Sequence, residues 1–67
     1  MDAVKYPGIR VQLTGNDGNA FALIGKVRRA LLRGGVGGRQ ISEFMAEATN
    51  GNYDNLLQTC MRWVEVA

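Results

Sequence analysis

The sequence predicts a small α+β domain of order β-α-α-α-β, with its N- and C-terminal strands paired and three helices packed on one face. Three observations predict it. Two runs near the ends of the chain, Ile9 to Leu13 and Arg62 to Val66, alternate with the period of a half-buried strand. Between them, three runs repeat apolar residues at i, i+3, i+4 and i+7, the period of a helix face. At 67 residues the chain is short enough for residues 1–67 to form a single domain.

Met1 to Gly8 reads as a loose lead-in, closed by the Pro7–Gly8 break. Along the first strand Ile9, Val11 and Leu13 share one face and Arg10 and Gln12 the other. Thr14 to Gly18, TGNDG, is turn chemistry. Asn19 is the expected N-cap of the first helix, because its side-chain oxygen can accept from backbone N–H groups that a helix start leaves unpaired. From there to Arg33, the residues Ala20, Leu23, Ile24, Val27, Ala30 and Leu31 form one apolar stripe. Lys26, Arg29 and Arg33 fall on the far side, and Phe21, Arg28 and Leu32 occupy a flank between the two. Gly34 and Gly35 stop the helix, one of them taking the left-handed conformation that glycine tolerates. Gly25, in mid-helix, is expected to mark close packing against a neighbouring element.

The second helix starts from Gly37 as N-cap, with Gln40 at N3 and a staple of Val36 on Ile41. Ile41, Phe44, Met45 and Ala48 face inward, and Glu43 and Glu47 stand on the wet side. Asn50 and Gly51 end it. Asn52 caps a third, short helix with Asp54 in its first turn, where a negative charge suits the dipole. Its Tyr53, Leu56, Leu57 and Cys60 are placed toward the core. RWVEV, Arg62 to Val66, is rich in β-formers and reads as the closing strand. Two strands make a marginal sheet with open edges that a second copy can use.

So small a chain normally leans on disulfides, a metal or a second subunit. Cys60 is the single cysteine and there is no histidine, which excludes an intrachain disulfide and the commonest zinc ligand. That leaves helix packing or a homodimer. The lone thiol suits a cytoplasmic location. The first ten residues contain no apolar signal core, and no apolar run is long enough to span a membrane. A net charge of +2 does not by itself imply nucleic-acid binding.

The runs QLTGNDGNAFALIGKVRRAL and NYDNLLQTCMRWVEV resemble a family of small uncharacterised proteins of bacteria, phages and other mobile elements. The DGNAFALIG and LLQTCMRW stretches are the most specific parts. The resemblance covers nearly the whole chain and implies one compact domain and a mobile-element origin. It implies no activity, cofactor or residue role.

The strongest candidate site is basic. Lys26, Arg28, Arg29, Arg33 and Arg39 are five of the eight cations, and no acidic residue lies between Gly18 and Ser42. Amphipathicity alone gives a helix a charged outer face, but it does not require that acids be missing from it. The ridge is spaced to contact a protein or to track phosphates. Trp63 is the other candidate, as a contact residue if it is exposed, since tryptophan is enriched at interface hot spots; otherwise it closes the core.

Other motifs fail on chemistry. GGVGGRQ follows a helix, lacks the third glycine of a dinucleotide loop and has no GK[ST], so it reads as a connector. Asn50, Asn52 and Asp54 echo a calcium loop, but Asn55 and Met61 stand where glycine and glutamate are required. Cys60 has no histidine to activate it, and Glu43 and Glu47 share a wet face where nothing separates their pKa values. The expectation is therefore a non-catalytic interaction module without metal or cofactor, binding another protein and self-associating. The alternative is a nucleic-acid-binding accessory protein using the basic ridge. A helix-turn-helix is disfavoured, because Asn55, Gln58 and Thr59 on the third helix include no cation.

Overall fold

The computed structural model describes residues 4–12 and 19–66, so Leu13 and the TGNDG turn lie outside the described residues. The observed order is β1 (Tyr6–Val11), α1 (Ala20–Arg33), α2 (Gly38–Ala48), α3 (Tyr53–Trp63) and β2 (Val64–Val66). The two strands pair with each other and the helices pack on one face, as the sequence predicts. The pairing is parallel, with Tyr6 opposite Val64, Arg10 opposite Glu65 and Val11 opposite Val66.

Two boundaries differ from expectation. The lead-in is shorter, because β1 already begins at Tyr6 and includes Pro7 and Gly8. The register is irregular between Tyr6 and Arg10, which is how a strand accommodates a proline that has no N–H to donate. The second difference concerns RWVEV. Arg62 and Trp63 end α3, which is eleven residues long, and only Val64–Val66 are strand. The reason is periodicity. Leu56, Cys60 and Trp63 continue one helical stripe, all at most 2% exposed, and burial on that stripe outweighs β propensity. Met61, between Cys60 and Arg62 on α3, points outward.

The caps behave as read. The Asn19 side chain accepts from the N–H groups of Phe21 (3.0 Å) and Ala22 (3.3 Å), and Asn52 accepts from Asn55 N–H at 3.0 Å. α1 ends in a Schellman arrangement: Val36 N–H donates to Leu31 carbonyl and Gly35 N–H to Leu32 carbonyl. Gly35, not Gly34, takes the left-handed conformation, at φ 83°. Gly34 serves close approach instead, since a Cβ there would come within 2.5 Å of Ile9 Cδ1 on β1. The Gln40 side chain folds back over Gly37 at the start of α2.

The core gathers Val11 from β1, Leu23, Ile24, Val27, Ala30 and Leu31 from α1, Ile41, Phe44 and Ala48 from α2, Leu56, Cys60 and Trp63 from α3, and Val64 from β2. Leu57 packs against this cluster, whereas Tyr53 is exposed. Among the described residues Thr59 is the buried polar side chain; its hydroxyl donates to Asn55 carbonyl at 2.8 Å and accepts from Arg62 at 3.3 Å.

Gly25 overturns its expectation. A Cβ built there meets nothing within 4 Å, so no neighbouring element packs on it. Gly25→Ala should therefore raise stability by about 0.5–1 kcal/mol, through helix propensity alone. Urea denaturation of the two proteins measures the difference.

Candidate functional site

The basic candidates lie where the helical wheel puts them. Lys26, Arg28, Arg29 and Arg33 are exposed on α1, and Arg39 is exposed at the second residue of α2. Among the described residues the ion pair is Arg62–Glu47, so none of these five cations joins one. Three of the four α1 cations, Arg28, Arg29 and Arg33, border an apolar strip that a charge-based reading passes over, and Lys26 stands about 120° round the helix from Leu32. Phe21 is 86% exposed and Leu32 50%. At 100° per residue, Phe21, Leu32 and Gly25 fall within one narrow sector, with Arg28 on one side and Arg29, Arg33 and Lys26 on the other. The signal was available as the spacing 21, 25, 28, 32. It is easily read as a mere flank, because a single exposed apolar residue is ordinary on a protein surface.

Phe21 also borders an open apolar hollow of about 230 Å³, walled by Ala20 and Ile24 of α1, Ala48 of α2 and Tyr53 and Leu56 of α3. A second hollow, about 430 Å³, runs along the outside of α3 between Asp54, Leu57, Gln58, Met61 and Arg62. Gln58 there donates to Asp54 at 3.2 Å, and the side chains include no nucleophile beside a base.

Trp63 does not meet the condition set for a contact residue, being only 2% exposed. It sits instead at the centre of a cluster. Phe44 meets it edge-on, with ring centroids 5.6 Å apart, and Tyr6 lies tilted at 5.8 Å. Its indole N–H donates to Glu47 Oε1 at 3.3 Å, and the same oxygen takes Arg62 at 3.5 Å. Lys5 Nζ covers the ring face, 4.2 Å from the centroid. Glu47, placed on the wet side by its spacing, is thus a partner of the core tryptophan. Local sequence carries no signal for this, since the contact joins different helices.

Comparison with known protein families, characterised proteins and solved structures finds no match for this chain.

No three His, Cys, Asp or Glu side chains among the described residues are grouped to hold a metal ion. No helix among them is long and apolar enough to cross a membrane. Cys60 is fully buried, and that burial raises its thiol from 9.0 to about 11, against a smaller lowering by a backbone hydrogen bond. The thiolate needed for nucleophilic attack is thus suppressed at neutral pH. Between about pH 9 and 11 the unfolded chain releases a proton that the folded chain keeps, so folding stability falls as pH rises through that window. The loss should approach about 2–3 kcal/mol at the upper end. Urea titrations at pH 8 and 10.5 measure it, and Cys60→Ala should remove that part of the slope which other titrating groups do not cause.

Proposed function

We propose that this chain is a small non-catalytic interaction module that binds another protein through the exposed face of α1. The observation that supports this best is Phe21, a large aromatic left 86% exposed in line with Leu32 on the helix that carries the basic ridge. An aromatic anchor bordered by cations is the composition of an interface hot spot, where aromatic residues and arginine are enriched. The free thiol of Cys60 suits a cytoplasmic protein, and we further propose a host or mobile-element protein as the partner to seek.

The test is site-specific photocrosslinking in cells producing the chain, with a photoreactive phenylalanine at position 21 and, as a control, at exposed position 42. Discrete protein adducts from position 21 alone support the reading. Adducts to nucleic acid, or none, overturn it.

A second reading, nucleic-acid binding by Lys26, Arg28, Arg29, Arg33 and Arg39, draws on the absence of acids from this surface of α1. It requires DNA or RNA affinity that falls steeply with salt. Self-association has a different surface available. β1 is hydrogen-bonded to β2 alone among the described strands, which leaves its other edge for a second copy. Sedimentation equilibrium tests this independently of α1.

A further inference from the structure

The α1 face has a period as well as a composition. Phe21, Gly25, Arg28 and Leu32 are spaced four, three and four residues apart, the spacing by which one helix seats another along a shallow crossing. The seam is about 17 Å long. At its middle Gly25 has no Cβ and nothing within 4 Å of where one would stand. That leaves a notch between Phe21 and Leu32 into which a partner's side chain fits and over which two backbones come close. The same glycine weakens α1 for no packing gain inside the domain, so the notch is useful only from outside.

Charge selects the occupant. The exposed face of α1 carries Lys26, Arg28, Arg29 and Arg33 and no acid. A second copy laid α1 against α1 would oppose cations to cations, which rejects it. A phosphate backbone would satisfy the cations but leave Phe21 and Leu32 without an apolar partner. We propose that the partner is an acidic amphipathic helix lying along α1, its apolar stripe on Phe21, Gly25 and Leu32 and its carboxylates against Arg28 on one side and Arg29 and Arg33 on the other. The proposal rests on the protein-binding reading and gives it a ligand class. Helix-in-groove recognition of this kind is read from a few apolar anchors at helical spacing.

The probe is a display library of helical peptides with a fixed apolar seam and flanking positions randomised among Glu, Gln and Lys, selected on the full chain. The expected result is enrichment of Glu at the flanks and micromolar or tighter binding by anisotropy. Phe21→Asp and Gly25→Leu should each weaken the selected peptides at least tenfold. Leucine is the better helix former, so Gly25→Leu should melt no lower than the native chain, and its loss of binding cannot come from unfolding. Reversing Arg29 and Arg33 to Glu should shift the selection from Glu to Lys. Selected peptides without acidic bias, peptides indifferent to both Phe21→Asp and Gly25→Leu, or no selected binder at all would each overturn the proposal. If protein adducts still form at position 21 in that event, the interaction module stands and its acidic helical ligand does not. If adducts are missing and labelled DNA or RNA binds with a steep salt dependence, both fall.

Discussion

Trp63→Ala should leave most of the chain unfolded at room temperature. Removing a buried tryptophan side chain costs about 3–5 kcal/mol. A domain of this length has only about 3–10 kcal/mol in total, at the usual stability per residue. Three further losses add to the cavity. Glu47 loses the indole donor, Lys5 loses the ring it covers, and Tyr6 and Phe44 lose their aromatic neighbour. Far-ultraviolet circular dichroism in a thermal scan measures the outcome; a cooperative native-like melt would contradict it. Trp63→Phe separates the contributions. It keeps most of the buried area and loses the N–H, so it should fold with a deficit of about 1–2 kcal/mol.

Phe44→Ala should have the next largest effect, about 3–5 kcal/mol, because the side chain is fully buried and bridges α2 to the tryptophan on α3. Phe44→Leu preserves apolar volume and should cost less than about 1.5 kcal/mol. That milder variant permits a double-mutant cycle with Trp63→Phe by urea denaturation. The edge-on ring contact predicts a coupling energy of about 0.5–1.5 kcal/mol. Strict additivity would mean that the two rings stabilise the domain independently.

What the sequence reveals here is what is local. Asn19 and Asn52 cap helices with atoms two or three residues away, so the caps and the element order follow from short windows. The Gly34–Gly35 stop is also local, although the close approach of Ile9 to Gly34 is not. The readings that change are those decided across the fold. Arg62 and Trp63 have strand-like neighbours, but the burial stripe begun at Leu56 holds them in α3. Gly25 reads as a packing glycine until its surroundings show open space. Glu47 has the spacing of a solvated residue and the contacts of a structural one. Of the candidate site, the cations are legible as a cluster. Phe21 is legible only as a flank position in the spacing 21, 25, 28, 32, because one exposed apolar residue is ordinary on a protein surface. The direction of the strand pairing is equally invisible, since three intervening helices are compatible with either.

The parallel pairing of Tyr6 with Val64 has a kinetic consequence. Its two strands are the first and last elements of the domain, so the sheet closes only after nearly the whole chain has been drawn into a loop. Closure of that kind contributes no reward until it is complete. The helices can form and meet through contacts nearer in sequence, and the sheet is the step that waits for them. Folding should therefore be slower than for a three-helix bundle of equal length. Variants in Tyr6 or Val64 should act chiefly by speeding unfolding, leaving the folding rate nearly unchanged.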